Sequence, residues 1–433
     1  MMEIEREAKF EVPDGFVIPT GAVGEPEIQV RPADEKVLEA TYYDTSHLDL
    51  ARWGVTLRFR RTRDGTGQAQ GAKWTLKLPD PVKGDSQVLS RTEVDFEGGP
   101  DEPPAGAKHL VRALRRGRRL RPVCDLTTTR TSHLVLSSGS APEEGSDPLA
   151  EIDDDAVEFR TWTGRTGRFH EIEVELKSDS GGPLIPKFAQ AFVAAGASQE
   201  NGLPKVLRAL EWSPPPLPPQ SVSSASTAES LVSYAIADSM RRLLSNEPMV
   251  HLEEEPEPVH QARVATRRLR SDLATLGRLL KPKALMELRG DLRATGRRLG
   301  DLRDADVMLE RLRKSVSKLP ADDQANAQAY LELLSAEQRK ARARALRYLS
   351  SKRYASTVDE LIDAIDHPPV RKPDQLAVDV LPSLIARRWK ALNKRVLGLG
   401  DDPPNEELHR VRIDAKRCRY AAELAAPVMG DDA

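Results

Sequence analysis

The stretch Ile4-Glu5-Arg6-Glu7-Ala8-Lys9-Phe10-Glu11, close to the start of the chain, alternates in character from residue to residue. Successive side chains of a β-strand point to opposite faces, so residues two apart share a face. One face of such a strand carries the charged residues Glu5, Glu7, Lys9 and Glu11. The other face carries Ile4, Ala8 and Phe10. The stretch is therefore predicted to be a strand that buries an apolar face and presents a charged one.

Five further segments of the first half repeat this alternation. Their apolar faces carry Leu57, Phe59, Trp74, Leu76, Ile172, Val174 and Leu176. Their charged faces carry Arg58 and Arg60, Lys73 and Lys77, Arg91, Glu93 and Asp95, Glu151, Asp153 and Asp155, and Glu171, Glu173 and Glu175. Carboxylates thus gather on the first and last strands, and most of the Arg and Lys residues lie between them.

Two folds agree with these charged faces. A sandwich would leave them in solvent, although a solvated face normally mixes in Thr, Gln and Ser. A barrel closed with these faces inward would have carboxylates on one side of its lumen and cations around the rest. Such a lumen suits a polyanion and its divalent metal, because carboxylate oxygens hold Mg²⁺ or Mn²⁺ while Arg and Lys bind phosphate oxygens.

The whole-chain composition is that of a globular protein with two domains. The 433 residues contain 65 Lys and Arg against 67 Asp and Glu, a length that fits two domains at about 100–200 residues each. Residues 1–219 carry 28 basic and 35 acidic residues, whereas residues 220–433 carry 37 and 32. A Pro/Ser-rich segment at residues 213–228 is predicted to be the linker, between a β-rich domain at 1–212 and a helical domain at 229–433.

Several classes of protein are excluded by pattern. No run of about 18 apolar residues occurs, and the first residues are charged, so neither a membrane span nor a signal peptide is predicted. We therefore expect a cytoplasmic protein without a membrane partner. The two cysteines, Cys124 and Cys418, lack the spacing of a zinc site or a disulfide framework.

The charged segments resemble, in order, the motifs of the CYTH family, also called triphosphate tunnel metalloenzymes. Glu5-Arg6-Glu7-Ala8-Lys9 is similar to its opening ExExK signature, and the resemblance covers about residues 3–211. The later matching segments are Tyr42-Tyr43-Asp44-Thr45, Leu57-Arg58-Phe59-Arg60, Trp74-Thr75-Leu76-Lys77, Arg130, Glu171-Ile172-Glu173-Val174-Glu175-Leu176 and Asn201-Gly202-Leu203-Pro204-Lys205.

This resemblance implies an eight-stranded antiparallel tunnel that hydrolyses a triphosphate with Mg²⁺ or Mn²⁺. It implies a metal site at Glu5, Glu7, Glu171 and Glu173. Asp153 or Asp155 would join that site as the tunnel aspartate, the register along 153–155 being open. The implied phosphate-binding residues are Lys9, Arg58, Arg60, Lys77, Arg130 and Lys205. The implied catalytic set is Glu5, Glu7, Lys9, Glu171 and Glu173.

Helical spacing in the second half predicts long helices, broken by proline clusters near Pro248, Pro320, Pro368 and Pro403. It contains an internal repeat, because Val259 to Ser271 aligns with Leu408 to Tyr420. Each copy places His, Arg, Arg or Lys, and Arg at positions i, i+3, i+7 and i+10, which share one helix face. The opposite face of the first copy carries the core candidates Ala262, Ala265, Leu269, Leu273 and Leu276.

The basic face is either a solvated helix surface or a binding surface. The repeat and the following segment Arg297 to Asp306 resemble the CHAD domain, a helical polyphosphate-binding module that is often fused to CYTH. The resemblance implies a bundle built from a duplicated helical unit, whose second copy continues for only 13 residues past Tyr420 and is either truncated or shortened. The implied polyphosphate-binding residues are His260, Arg263, Arg267, Arg270, His409, Arg412, Lys416 and Arg419.

The leading hypothesis is an acid anhydride hydrolase, an inorganic triphosphatase, with a polyphosphate-binding helical domain. A thiamine triphosphatase or adenylyl cyclase of the same family is one alternative. A non-catalytic polyphosphate-binding or targeting protein is another. The expected partners are inorganic triphosphate and polyphosphate. No protein partner is predicted, and no nucleic-acid partner is expected, because the repeats offer only Tyr420 for base stacking.

Overall fold

A computed structural model describes residues 2–19, 28–79, 89–137, 148–178, 182, 184–198, 203–211, 221–252 and 256–430. Its contacts divide the chain into two compact units, residues 1–111 with 118–215 and residues 112–117 with 216–433. The predicted linker falls outside the described residues up to position 220. In the last part of the predicted linker, the carbonyl of Ser226 accepts from the backbone N–H of Ala377 at 2.8 Å. The backbone N–H of Ala228 donates to the carbonyl of Gln375 at 2.7 Å.

The first unit is a closed eight-stranded barrel in which all neighbouring strands are antiparallel. Its strands follow the order β1-β5-β4-β3-β2-β6-β7-β8 around the ring, so the first strand pairs with both the fifth and the last. The strands are β1 Met2–Glu11, β2 Ile28–Asp44, β3 Thr56–Asp64, β4 Ala69–Pro79, β5 Leu89–Phe96, β6 Arg121–Ser137, β7 Ala150–Thr161 and β8 Thr166–Leu176. The expected tunnel architecture is confirmed.

The alternation of each strand separates a polar lumen from an apolar outer layer. Phe10 and Ile172 point outward and pack with Phe188 and Phe192 of helix α2 in one buried cluster. Trp74 is fully buried beside Tyr43 and Phe59. Three short helices flank the barrel, α1 Ala105–Leu110, α2 Leu184–Ala194 and α3 Lys205–Leu210.

The predicted apolar faces are buried with two exceptions. Ile4 is 60% exposed, and Leu176 is only partly buried. Ile4 is the third residue of β1, and Leu176 is the last residue of β8. The prediction that the Ile4 side of β1 is wholly buried is therefore wrong at that end.

The second unit is all-helical, as the pattern predicted. Its helices are α4 Ala228–Leu252, α5 Pro256–Thr275, α6 Pro282–Val316, α7 Ala321–Leu349, α8 Lys352–Asp366, α9 Ala377–Leu397 and α10 Asn405–Met429. The prediction of a break near Pro248 is wrong, because Pro248 lies buried inside α4. Over the residues the structure describes, none of these helices has the length and hydropathy to cross a bilayer.

Helix α5 packs through the face opposite its cationic residues. Ala262, Ala265, Leu269 and Leu273 are each about 99% buried, and Leu276 follows in a short 3-10 turn. The core prediction for this helix is confirmed. Since these residues fix the rotation of α5, the His260 and Arg267 side faces away from the core.

Candidate functional site

The lumen of the barrel encloses a cavity of about 1130 Å³, lined by residues from all eight strands and by Lys205. Most of the lining is charged, because each of the eight strands contributes acidic or basic residues to it. Burying ionised groups costs several kcal/mol each unless partners compensate. The pairing of charges inside this cavity therefore decides what it can bind.

The carboxylates of β1 and β8 share one wall through strand pairing. Lys9 lies opposite Glu173 in the register of β1 with β8, and Glu7 lies opposite Glu175. The ammonium group of Lys9 donates to Glu173 and lies 3.1 Å from Glu7 Oε2. Burial alone would lower the pKa of Lys9, but Glu173 and Glu7 raise it above its ordinary value. Lys9 is therefore held as a cation.

Lys205 belongs to a helix rather than to the sheet, but its side chain contacts the same wall. It is the first residue of α3, directly after Pro204, and only 8% of it is exposed. Its Nζ lies 2.8 Å from Asp155 Oδ2 and 2.7 Å from both Glu171 Oε1 and Glu173 Oε1. These three carboxylates raise its pKa despite burial. Of the predicted Lys205 segment, Asn201 and Gly202 lie outside the described residues.

Arg130 on β6 forms ion pairs with the two aspartates of β7 that face the lumen. Its Nη2 donates to Asp155 Oδ2 at 2.6 Å and to Glu173 Oε2 at 2.8 Å, and its Nη1 pairs with Asp153. Asp154 points to the other face and pairs with His170. Asp153 and Asp155 thus both face inward, and either can be the tunnel aspartate.

These contacts set the protonation of the aspartates. Burial raises the pKa of Asp153 to about 6, although Arg130 opposes it. Burial would also raise the pKa of Asp155, but Lys205 and Arg130 outweigh it and lower that pKa. The pKa of Glu173 falls well below its usual range, because Lys205, Lys9 and Arg130 overcome its burial.

The opposite wall is cationic. Arg58 and Arg60 lie two apart on β3, and the Arg58 guanidinium donates to Tyr42 Oη at 3.3 Å. The proximity of Arg58, and then burial, lowers the pKa of Arg60 to about 10. Arg58 Nε and Arg60 Nε are buried and have no hydrogen-bond partner within the described ranges. This wall holds more positive charge than its neighbours neutralise.

Lys77 is placed between the two walls. Its Nζ lies 2.6 Å from Glu5 Oε2 and 2.5 Å from Glu93 Oε1. Burial would raise the pKa of Glu93, but Lys77 and Arg58 lower it. Glu5 is thereby held by a cation of β4, away from the Glu173 cluster.

Some lining residues were absent from the predicted site. Arg91, Glu93, Glu151 and Glu175 lie on the predicted charged faces but in none of the assigned roles. Lys177 lies two residues past Glu175 and continues the charged face of Glu171, Glu173 and Glu175, but the predicted acidic segment ended at Leu176. Its Nζ lies 3.0 Å from Glu151 Oε2 and 2.8 Å from Glu175 Oε1, and burial raises the pKa of Glu175 to about 7.

The donor chemistry of the lumen fits a hard divalent cation. Glu5, Glu7, Glu171 and Glu173 supply only carboxylate oxygens, the ligands that Mg²⁺ and Mn²⁺ prefer. Glu7 is 98% buried, and its Oε1 has no hydrogen-bond partner in the described part of the chain. No three acidic, His or Cys side chains of the described residues converge on a metal-binding geometry, because the acids are held by Lys9, Lys77, Lys205 and Arg130.

The second unit brings the two cationic repeats together only in part. Helices α5 and α10 pack against each other. Slight burial and then the Arg267 and Arg412 guanidinium groups lower the pKa of Lys416. His260 Nδ1 and Arg267 Nε are buried nitrogens without a hydrogen-bond partner in the described segments. These residues of the two copies form one basic surface, which we call the α5–α10 surface.

The remaining predicted polyphosphate residues have different surroundings. Arg263 lies 3.4 Å from Asp304, and Arg419 lies 3.5 Å from Glu423, so each has a local acid. Burial and the neighbouring Arg293 and Arg289 lower the pKa of Arg270. His409 is exposed on α10. Arg270 therefore extends the basic surface toward α6.

Comparisons with known proteins agree with this division. The CYTH domain model matches residues 2–186, and the CHAD domain model matches residues 234–433. Uncharacterised proteins from two strains of Mycobacterium tuberculosis are each 28% identical to the chain over an alignment of 449 residues, which covers 97% of this chain and 82% of theirs.

Among solved structures, the CHAD domain of Ricinus communis is 26% identical, with a TM-score of 0.41, covering 47% of this chain and 67% of that one. A proposed adenylate cyclase of Bacillus halodurans is 19% identical, with a TM-score of 0.31, and the match covers 48% of this chain and 97% of that one. A proposed adenylyl cyclase of Hippeastrum with a dominant triphosphatase activity is 16% identical, with a TM-score of 0.30, and the match covers 49% of this chain and 98% of that one. The chain belongs to the proteins that join a CYTH domain, here residues 2–186, to a CHAD domain, here residues 234–433.

Proposed function

We propose that the tunnel binds and hydrolyses a triphosphate, inorganic triphosphate first, with Mg²⁺ or Mn²⁺, and that the helical domain binds polyphosphate. CYTH is a metal-dependent tunnel family whose members are triphosphatases or cyclases. One observation carries the proposal for this chain. A wall of carboxylates faces a wall of crowded arginines inside one closed cavity.

The arginine wall supports phosphate binding. Arg58 and Arg60 are close enough that Arg58 lowers the pKa of Arg60 to about 10. A bound polyanion would remove this repulsion, and guanidinium groups bind phosphate oxygens through charge-assisted hydrogen bonds. Their two buried Nε–H groups, which lack a partner among the described residues, are available as donors.

The carboxylate wall supports metal binding. Glu5, Glu7, Glu171 and Glu173 are the residues that would hold the metal, with Asp153 or Asp155 as a further ligand. A bound divalent cation supplies neutralisation of phosphate charge and a more acidic attacking water. Lys9 and Lys205 now occupy these carboxylates. In the complex, we expect them to donate to phosphate oxygens instead.

The lining favours a triphosphate without an organic group. Among the described lining residues the aromatic side chain is that of Tyr42, and its hydroxyl already accepts from Arg58. A thiamine or adenine ring would have to lie on small or aliphatic side chains such as Leu38, Ala40 and Leu126 rather than stack on an aromatic one. Inorganic triphosphate needs only the cations and the metal, so it ranks above the thiamine triphosphatase and cyclase alternatives.

The α5–α10 surface supports polyphosphate binding. Arg267 and Arg412 are close enough to Lys416 that their positive charges lower its pKa. The buried Arg267 Nε and His260 Nδ1 have no hydrogen-bond partner within the described ranges. Cations repeated along helices match a linear polyanion, which releases its counterions as it binds. A polyphosphate-binding protein without catalysis remains the second candidate, because this surface does not depend on the tunnel.

The first prediction concerns the metal-binding carboxylates. The double variant Glu5→Gln/Glu7→Gln removes two carboxylate charges from β1 and is expected to lower phosphate release from tripolyphosphate by about 100-fold or more. Release would be measured with Mg²⁺ and with Mn²⁺. The control is Glu39→Gln, whose side chain is 43% exposed and pairs with Arg63; equal rates in both variants would contradict a catalytic tunnel.

The second prediction concerns the arginine wall. Arg60→Ala is expected to raise the KM for tripolyphosphate by about tenfold or more, because a charge-assisted contact to phosphate is lost. Arg61→Ala is the matched control, since Arg61 is the next residue and is exposed. A KM that changes equally in both variants would show that Arg60 does not contact the substrate.

The third prediction concerns the α5–α10 surface. Arg267→Ala/Lys416→Ala is expected to weaken binding of long-chain polyphosphate and to reduce the slope of log K against log salt by about 2. Arg339→Ala/Arg344→Ala removes the same charge from exposed positions of α7 and should leave the slope unchanged. Equal slopes for the two variants would contradict a polyphosphate site on this surface.

A further inference from the structure

A second cavity, of about 550 Å³, lies within the helical domain and has no place in the function proposed above. It is formed by the 3-10 turn Leu276–Arg278, the first three turns of α6 and Arg371. Its volume falls in the range of small-molecule sites, about 300–1000 Å³. The cavity is therefore large enough for a ligand of nucleotide size.

Backbone hydrogen bonds position the walls of this cavity. The N–H of Arg371 donates to the carbonyl of Leu279 at 2.8 Å, and the N–H of Lys281 donates to that of Pro369 at 2.9 Å. Leu280 and Val370 form the bridge between these contacts. The segment that carries Arg371 is thereby tied to the start of α6, so the cavity is built into the fold.

Four arginines line the cavity, and no carboxylate does among the described residues. They are Arg278, Arg289, Arg293 and Arg371. None of the four forms an ion pair with a described carboxylate within 4.0 Å. Burial lowers the pKa of Arg270, and the positive charges of Arg293 and Arg289 lower it further. Such an unneutralised cluster attracts an anion with several charges.

The remaining lining is apolar. Leu280 is buried, Leu285 is half-buried, and Met286 is 71% exposed in the first turns of α6. An exposed thioether beside guanidinium groups offers a surface on which a flat ring can lie. Inorganic polyphosphate has no group that would use this surface. An organic phosphate with a ring would use both parts of the cavity.

We propose that this cavity binds a nucleoside polyphosphate, with its phosphates on Arg289, Arg293 and Arg371 and its base against Leu285 and Met286. The site uses none of the residues of the tunnel or of the predicted polyphosphate stripe. It adjoins Arg270 and so borders the basic surface that continues from α5.

The test is photo-cross-linking of the full chain with 8-azido-ATP in EDTA, which suppresses metal-dependent hydrolysis, followed by peptide mapping. Label is expected in residues 279–289. Arg289→Ala/Arg293→Ala should reduce that label about tenfold, since two charged contacts are lost. Met286→Glu changes an exposed side chain and places a negative charge beside the phosphates, so it should also reduce the label.

The matched control is Arg311→Ala/Arg313→Ala, which removes two exposed arginines from the far end of the same helix. Its labelling should equal that of the unchanged protein. Excess ATP should compete for the label more effectively than excess tripolyphosphate. Label confined to other residues, equal loss in the control, or equal competition by the two anions would overturn the proposal.

Discussion

The structure of the tunnel depends on one buried carboxylate, that of Glu173. It accepts contacts from Lys9 of β1, Arg130 of β6 and Lys205 of α3, with Lys205 at 2.7 Å and Arg130 at 2.8 Å. Glu173 is only 8% exposed, and leaving such a charge unpaired would cost several kcal/mol. These ion pairs link the two ends of the barrel sequence with the helix that follows it. The same contacts keep the acid wall neutralised until a ligand enters.

Under the function proposed here, ligand binding is an exchange of ion-pair partners. Carboxylates released by Lys9 and Lys205 can hold a cation, and the released ammonium groups can hold phosphate. On the opposite wall, Arg60 forms no ion pair within 4.0 Å with a carboxylate of the described residues, and the proximity of Arg58 and burial lower its pKa to about 10. This is why we propose a ligand that brings positive and negative charge together, as a metal–triphosphate complex does. Among the described residues of the helical domain, no comparable wall of carboxylates faces the α5–α10 surface, which is why we propose that it binds the anion alone.

The sequence alone could predict the alternation of each strand, because the period of two needs no tertiary information. The ordered motifs then pointed to the barrel and to most of the charged lining. Lys177 lies on the charged face of Glu171, Glu173 and Glu175, but it was missed because the predicted acidic segment ended at Leu176; the structure shows its ion pairs with Glu151 and Glu175. The alternation places Ile4 on the apolar face but cannot show that this end of the face is left exposed. Pro248 continues α4 because surrounding helices bury it, which a local breaker rule does not include.

The most direct test of the exchange is a crystal structure with tripolyphosphate and Mn²⁺, whose anomalous signal locates the metal. The account predicts a triphosphate along the tunnel between Arg58, Arg60 and Lys205, with Mn²⁺ at Glu5, Glu7, Glu171 and Glu173. It also predicts that Lys9 Nζ leaves Glu173 for a phosphate oxygen. A triphosphate bound outside the tunnel, or a filled tunnel with the Lys9 and Lys205 pairs to Glu173 intact, would contradict it.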